Sequence, residues 1–361
     1  MRVLIVGGGG YIGFHIGLEL ASRQHEVTLF DLHPPNPVWY DKSETCPLPF
    51  VTGSILCLPD LEQVLSLSKA EGVIHCAAHG MSSREQLPSA SSLTESINID
   101  GTSLLLKVCS GPSSSVTSLV YTSTFNVVFG CDEIIGGDEN LPYFPLHRHW
   151  DNYSISKSVA ERLVLASSGK NKKFHTCSLR LAGVMGVGET RHLPRIVASL
   201  PFLKFRYGNA KVQFVGIKNA VQAHVKALEK LHDDPDVVGG EAYFISDGKP
   251  IEHWEYFRPL IEGLGYTYPK WVLPVGLMWI FVLLGQFFLR VFGEIWGAGR
   301  GLFLSPAELL KTSVTHWFSI DKAKQHFGYA PEDVNDLSGV LHEYRRKMGL
   351  SPLLKFRKND T

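Results

Sequence analysis

The 361-residue sequence contains few charged residues and no excess of either sign. Only 19% of the residues are Asp, Glu, Lys or Arg, and 35 basic side chains balance 35 acidic ones. A neutral chain has no basic field to attract a phosphate backbone, so no nucleic-acid partner is expected. The apolar fraction of 44% is instead typical of a globular protein with a sizeable core.

Cysteine is sparse, and no Cys-x-x-Cys pair occurs among the six cysteines. This pattern argues against a disulfide framework and favours reduced thiols in a reducing compartment. His147 with His149, and His75 with His79, have spacings that also occur in metal sites. Because no cysteine or carboxylate set completes either pair, no metal site is predicted.

The apolar residues occur mostly in short runs that alternate with helical patterns. Predicted strands cover 2–7, 26–31, 72–78, 118–124 and 175–181, and helical patterns lie near 12–23, 59–69, 94–109 and 153–167. Strands that are apolar on both faces and alternate with helices predict an α/β fold with a doubly wound parallel sheet. The opening run, MRVLIVGGGG, is too short for a signal peptide and is interpreted as the first buried strand.

The regular alternation of predicted strands and helices ends near residue 185. Isolated strands (212–217 and 241–246) and a helix (219–231) follow. We therefore predict four parts. They are a first domain over 1–185, a smaller substrate-binding part over 186–270 in which some strands rejoin the sheet, an apolar segment over 271–293 and a C-terminal segment over 294–361.

A long uncharged run covers residues 271–289, between Lys270 and Arg290. Its nineteen residues approach the roughly 20 that span a bilayer, but Pro274 and Gly285 interrupt it. Its tryptophans suit a position at headgroup depth. Three interpretations remain open: a segment that lies in the membrane surface, a spanning helix, and a buried helix or substrate lid. The surface position is favoured.

The segment VGGGGYIG follows the first predicted strand. Gly7, Gly10 and Gly13 give the spacing G-x-x-G-x-x-G, and a helical pattern begins at once. Glycines allow the backbone to approach a pyrophosphate, and the helix N-terminus supplies free N–H groups. We therefore predict a dinucleotide site that includes Tyr11 and Ile12, the first residues of that helix.

Asp31 ends the second predicted strand, about twenty residues beyond the glycine loop. A carboxylate at this point accepts hydrogen bonds from the adenosine ribose hydroxyls. Leu32 and His33 follow it, and no arginine is nearby to pair with a 2′-phosphate. The predicted cofactor is therefore NAD rather than NADP.

Three tyrosines, at positions 153, 207 and 266, lie four residues before a lysine. The second pair spans a Gly-Asn turn and the third contains a proline, so neither pair is expected within a helix. Only Tyr153 opens an amphipathic helical pattern, in which Lys157 lies one turn away on the same face. A free phenol has a pKa near 10, and an adjacent ammonium lowers it, which makes Tyr153 a candidate general base. Lys157 can also hold the nicotinamide ribose.

At this point the sequence resembles the extended short-chain dehydrogenase/reductase superfamily, which pairs a Tyr-x3-Lys helix with a hydroxyl at the end of an earlier strand. In LVYTSTFNVVFG the resemblance places Thr124 at the catalytic serine, with Ser123 as the fallback. In INIDGT it places Asn98 where the family supports the lysine. Ala77 and Ala78 are implied as cofactor contacts.

Longer segments resemble the 3β-hydroxysteroid dehydrogenase/isomerase family, most closely its short-chain dehydrogenase/reductase family 42E branch. These segments are LFDLHPP (29–35), VIHCAAHG (73–80), RHLPRIV (191–197), NAVQAH (219–224), YFISDGKPI (243–251) and EGLGYTYP (262–269). The resemblance implies a Rossmann fold and NAD-linked oxidation of a secondary alcohol on a steroid or similar apolar ring system. It also implies association with membranes of the endoplasmic reticulum, with lipid contacted through 271–293. A homodimer is a candidate assembly.

Five positions depart from the pattern of that family: Ser54, Leu181, Met185, Gly216 and Lys218. They put the detailed cofactor fit and the floor of the substrate site in doubt, and they leave room for a weakened or altered activity.

Family members that also shift a ring double bond use a tyrosine and a carboxylate, which correspond here to Tyr243 and Asp247. A strand tyrosine followed by an aspartate in a turn is also ordinary structure, so both interpretations stay open.

Two other functions remain as alternatives. A nucleotide-sugar epimerase or dehydratase has the same architecture, but it needs polar and basic groups where this chain has its apolar run. The chain could also bind NAD without catalysis, as a regulatory protein.

Overall fold

The computed structural model describes residues 1–40, 45–80, 91–169, 173–292 and 304–351. At its centre is a seven-stranded sheet in which all neighbouring strands are parallel. In order across the sheet the strands are β12 (Ala242–Ile245), β7 (His175–Leu181), β5 (Ser118–Thr124), β4 (Gly72–His75), β1 (Arg2–Val6), β2 (Glu26–Asp31) and β3 (Phe50–Thr52). From β1 the chain adds β2 and β3 on one side and then β4, β5 and β7 on the other, so the strand order reverses between β1 and β4. Doubly wound folds bind their ligands at this switch point.

Helices cover both faces of the sheet, as the continuously apolar strands require. The core on one face includes residues of α1 (Tyr11–Ser22) and α7 (Ile217–Asp233). The core on the other face includes residues of α2 (Leu58–Ser68), α4 (Gly101–Cys109) and α5 (Asn152–Ser167). A short helix α3 (Ser91–Glu95) continues through a π-helical turn, Ser96–Asp100, into α4.

Two-stranded ladders and short helices build the remaining part. The ladders pair β8 (Gly183–Met185) with β11 (Phe214–Gly216), β9 (Phe205–Tyr207) with β14 (Trp271–Leu273), β10 (Lys211–Val212) with β13 (Ile251–Glu252), and β6 (Ile134–Gly137) with β15 (His316–Phe318). The helices are α6 (Leu193–Ser199), α8 (Pro235–Val238), α9 (His253–Gly263), α10 (Val275–Phe292), α11 (Pro306–Ser313), α12 (Asp321–Phe327) and α13 (Ser338–Lys347).

The predicted Rossmann-type sheet is confirmed, but the prediction of individual strands differs from the structure in several places. β3 was missing from the predicted strands, and the strand predicted over 212–217 is divided between β10 and β11. β12 lies beyond the predicted boundary at residue 185 and pairs with β7 in the main sheet. The division of the chain into four parts stays a prediction, and its boundary at 293 and 294 lies outside the described residues.

Most of the predicted apolar segment forms α10. Large apolar side chains on this helix remain exposed, including Ile280 and Phe281 at 55% and Phe287 at 59%, whereas Val282 is buried. Among the described residues, no helix combines the length and the apolar character needed to cross a membrane.

Candidate active site

The glycine loop joins β1 to α1 and lies against the end of β4. Gly7 has φ = +89°, and a Cβ built on it would lie 2.3 Å from the backbone nitrogen of Ala77. A Cβ on Gly13 would lie 2.4 Å from the carbonyl oxygen of Gly7. The loop therefore requires glycine at both positions, and it brings Ala77, and with it Ala78, to the edge of the sheet where the cofactor was predicted.

The amino end of α1 is available to an anion. Gly10 is its N-cap and carries no side chain to cap it, so the first N–H groups of the helix, including those of Tyr11 and Ile12, lack an intrahelical acceptor. Such a terminus suits the pyrophosphate of a dinucleotide. The hydroxyl of Tyr11 donates to the carbonyl oxygen of Val187 at 2.8 Å, which ties the start of α1 to the segment after β8.

Asp31 lies at the end of β2, directly beside the glycine loop. Its carboxylate accepts hydrogen bonds from the backbone N–H groups of Gly9 at 3.0 Å and of Leu32 at 2.7 Å. Burial raises the pKa of Asp31, and these hydrogen bonds oppose that rise. The two N–H groups orient the carboxylate next to the glycine loop, so the residues present fit the adenosine ribose of NAD.

The catalytic pair predicted from the sequence lies on α5. Asp151 caps this helix by accepting the N–H of Ser154 at 2.7 Å, which begins the helix just before Tyr153. Tyr153 is 5% exposed. A Cβ built on Gly80, which has φ = +100°, would lie 3.3 Å from the Cβ of Tyr153, so the loop after β4 passes directly against the helix.

Lys157 is almost completely buried, with 2% exposure. Its Nζ donates to the carbonyl oxygen of Thr122 at 2.5 Å and lies 4.0 Å from the ring centroid of Tyr121. Burial lowers the pKa of Lys157 to about 7, and the neighbouring Cys76 and Glu161 oppose that change. A cofactor or substrate oxygen near Nζ would favour the ammonium form.

Thr124 is the last residue of β5 and is 5% exposed. Its Oγ1 accepts the backbone N–H of Asn126 at 3.3 Å and so caps a short 3₁₀ turn. The fallback residue Ser123 instead lies near Glu161 and helps to lower the pKa of that carboxyl. This placement favours Thr124 as the hydroxyl at the site.

Asn98 is 1% exposed and lies in the π-helical turn. Both hydrogens of its amide are used, one to the carbonyl oxygen of His79 and one to Ser156 Oγ, each at 2.8 Å. Its oxygen accepts the N–H of His79 at 2.9 Å. The observed hydrogen bonds therefore join the loop after β4 to α5, one residue before Lys157, whereas a direct role in supporting the lysine stays a prediction.

A buried ion pair between α5 and β7 was not predicted from the sequence. Glu161 and Arg180 are 0% and 3% exposed, with 2.8 Å between Oε1 and Nη2. Tyr143 and Ser178 also donate to the Glu161 carboxylate at 2.8 Å. In the sequence, Glu161 lies four residues after Lys157, but this spacing does not show that its side chain is buried or paired.

The candidate isomerase residues have structural partners away from α5. Tyr243 is fully buried in the core shared with α1 and α7, and its hydroxyl lies 2.9 Å from His326 Nδ1. The Asp247 carboxylate accepts from the N–H of Gly216 and from the side chain of Asn219. This arrangement adds no support for the isomerase role, which stays a prediction.

The five departures from the family pattern are accommodated structurally. Leu181 and Met185 are buried in apolar clusters. Ser54 Oγ accepts the N–H of Leu56, and Gly216 caps α7. Lys218 is exposed and lies 3.5 Å from an Asp333 oxygen. We find no disruption of the glycine loop or of α5 at these positions.

Comparison with known proteins agrees with the resemblance. The model of the 3-beta hydroxysteroid dehydrogenase/isomerase family matches residues 4–275. Short-chain dehydrogenase/reductase family 42E member 1 of Macaca fascicularis is 44% identical over 91% of this chain and 83% of that protein. Sterol-4-alpha-carboxylate 3-dehydrogenase (decarboxylating) of Mus musculus is 28% identical over 91% of this chain and 86% of its own length.

A solved structure confirms the fold. UDP-glucose-4-epimerase from Stenotrophomonas maltophila, with bound NAD and formylated UDP-arabinopyranose, superimposes with a TM-score of 0.73 at 19% identity, covering 97% of this chain and 99% of the other. The family match over residues 4–275 shows that the chain belongs to the 3-beta hydroxysteroid dehydrogenase/isomerase family.

Proposed function

We propose that the protein is an NAD-dependent oxidoreductase that oxidises a secondary alcohol on a steroid or sterol to a ketone. The observation that carries this proposal is the buried Lys157 amine, held by the carbonyl oxygen of Thr122 one helical turn after Tyr153. These groups lie at the carboxyl edge of the sheet, where the glycine loop and Asp31 also lie.

Each residue has a defined part in the proposed reaction. Tyr153 accepts the proton of the substrate hydroxyl as a phenolate, and the Lys157 ammonium stabilises this phenolate before the transfer. Thr124 orients the alcohol through its hydroxyl, and Lys157 also binds the nicotinamide ribose. NAD, when bound, accepts the hydride. Asn98 keeps the loop after β4 against α5.

The choice of NAD follows from Asp31. Because its carboxylate is already oriented by Gly9 and Leu32, it can accept both ribose hydroxyls and would repel a 2′-phosphate. We expect Asp31→Ala to weaken NAD binding and to reduce the preference for NAD over NADP. Dissociation constants for both cofactors, measured by fluorescence titration, test this. A wild-type protein that already prefers NADP would contradict the assignment of Asp31.

The substrate class is supported by family membership and by the exposed apolar face of α10. The mouse relative at 28% identity is named for dehydrogenation at the 3-position of a sterol. The experiment is incubation with NAD and a panel of 3β-hydroxysteroids, including sterols, with NADH formation read by absorbance. Sugar nucleotides form the parallel panel. Turnover of sugar nucleotides would favour an epimerase or dehydratase, and NAD binding without turnover of either panel would favour a regulatory protein.

Membrane contact through α10 is the second part of the proposal. Ile280, Phe281 and Leu284 expose half or more of their surface on this helix, and Trp271 just before it is 80% exposed. Fully burying such a side chain contributes about 1.5–3 kcal/mol. We therefore propose that α10 lies in the membrane surface, and that apolar substrates are taken from lipid. Endoplasmic reticulum membranes are the proposed location.

A triple substitution tests this contact. We expect the wild-type protein to sediment with membranes in high salt and to be released by detergent. Ile280→Ser, Phe281→Ser and Leu284→Ser together should move it to the supernatant without abolishing NAD binding. The control is serine at Leu67 and Ile135, which are even more exposed but lie outside α10. Recovery of the wild-type protein in a detergent-free supernatant would instead favour the interpretation of α10 as a substrate lid.

A further inference from the structure

Lys157 and His224 approach the same residue of β5 from opposite faces of the sheet. Lys157, on α5, donates to the carbonyl oxygen of Thr122 at 2.5 Å. The side chain of Thr122 lies on the α7 side, where its Oγ1 is 2.8 Å from His224 Nε2. His224 is fully buried, and Thr122 is 8% exposed.

The directions of these hydrogen bonds follow from the surroundings of His224. Its Nδ1 lies 2.7 Å from the carbonyl oxygen of Ala220, so this nitrogen carries a hydrogen and donates. Burial lowers the pKa of His224 to about 4, so the ring is neutral and Nε2 accepts. The hydroxyl of Thr122 therefore donates to Nε2.

A third group completes the chain of hydrogen bonds. Cys76, directly after β4, has its Sγ 3.1 Å from Thr122 Oγ1. Burial raises the pKa of this thiol to about 11, so it is protonated and donates to the oxygen of Thr122. Residues from β4, β5 and α7 are thereby joined at one hydroxyl, and the peptide that holds Lys157 is fixed in position.

We propose that Thr122 and His224 are positioning residues: they fix the carbonyl group that holds Lys157, and so set its alignment with Tyr153 and the nicotinamide ribose. This inference rests on the proposed function, because it assumes that Lys157 acts in catalysis and cofactor binding. Neither residue touches the reacting atoms. Buried polar groups with all partners satisfied keep a unique geometry, which catalytic alignment requires.

Cys76 contacts the Thr122 side chain, but its thiol is neutral, so a substitution at Thr122 changes no charge around Lys157. His75 and Cys76 approach from β4, Tyr121 from β5 and Glu161 from α5. A change in the titration of Lys157 would then report the displacement of its acceptor. A less well-held ammonium loses its proton at lower pH, so the alkaline limb of the activity profile should move to lower pH.

The test compares Thr122→Val, Thr122→Ser and Thr176→Val. Thr176 is also a fully buried threonine of the sheet, and its hydroxyl bonds the carbonyl oxygen of Val164, so its variant loses a similar buried hydrogen bond elsewhere. We expect Thr122→Val to lower kcat/KM for the steroid by about 10- to 100-fold, as a misplacement of catalytic groups does, and to shift the alkaline limb downward. Thr122→Ser should restore most of both. His224→Leu removes the same hydrogen bond from its other end and should cause the same defect. This variant replaces Thr122→Val in the test if Thr122→Val folds poorly.

NADH affinity, measured by fluorescence, gives a readout that does not need turnover. It should fall more in Thr122→Val than in Thr176→Val, because Lys157 holds the ribose. If the two variants have the same pH profile and the same NADH affinity, the positioning role is overturned while the proposed oxidation stands. If the wild-type protein oxidises no member of the steroid panel, the proposed function fails, and NADH affinity alone decides the role of Thr122.

Discussion

Tyr153→Phe is expected to lose oxidation of the alcohol by about 10²–10⁴-fold, the usual contribution of a general acid–base group. The substitution removes only the phenolic oxygen from a ring that is 5% exposed at the start of α5. The fold and the glycine loop are unaffected, so NAD affinity should be retained. Initial rates of NADH formation at saturating NAD, together with fluorescence titration of the cofactor, measure both quantities.

Tyr266→Phe is the matched control for that variant. Tyr266 also precedes a lysine by four residues, but it lies between α9 and β14 and not within a helix. We expect full activity from Tyr266→Phe. Full activity in Tyr153→Phe would rule out Tyr153 as the base, and an equal loss in both variants would point to a general effect on folding.

Glu161→Gln is expected to reduce the free energy of unfolding by about 3–5 kcal/mol, because removing one member of a buried ion pair leaves the other charge uncompensated. Arg180 is 3% exposed, and both its Nε and Nη2 donate to Glu161 Oε1. Since Glu161 lies one turn after Lys157, we also expect reduced activity. Urea denaturation followed by circular dichroism measures the loss.

The pH dependence of that difference has a defined sign. Burial alone would raise the pKa of Glu161, but Arg180 and the hydrogen bonds outweigh it, and the pKa is lowered on folding. The ionised carboxylate therefore stabilises the fold at pH values above the unfolded pKa of about 4.3, and this contribution is lost as the pH falls further. The gap between wild type and Glu161→Gln should shrink in acid.

Glu262→Gln provides the comparison for an exposed pair. Glu262 and Arg258 form an ion pair on the surface of α9, where each side chain is about half exposed. Water screens this pair, so the substitution should leave the unfolding midpoint nearly unchanged. A similar loss from both substitutions would mean that the buried pair has no special role in stability.

The sequence by itself predicted the sheet, the glycine loop and the helix that carries Tyr153 and Lys157. Apolar runs such as 3–6 are buried on both faces, and this burial is predictable from composition alone. The glycine spacing is visible in the sequence. The structure gives its cause, because a Cβ at Gly7 or Gly13 would overlap backbone atoms. The helical spacing of Tyr153 and Lys157 is local, so it too could be predicted without tertiary contacts.

Other features depend on contacts between distant parts of the chain, and only the tertiary structure decided them. Glu161 and Arg180 are 19 residues apart, and Thr122 and His224 are 102 residues apart. A glutamate or a histidine on a helix is usually solvated, and nothing in the local sequence marks either one as buried and paired. Contacts between neighbouring strands, and between the sheet and its helices, determine which polar residues are buried. The residues that hold Lys157 could therefore be identified only in the folded protein.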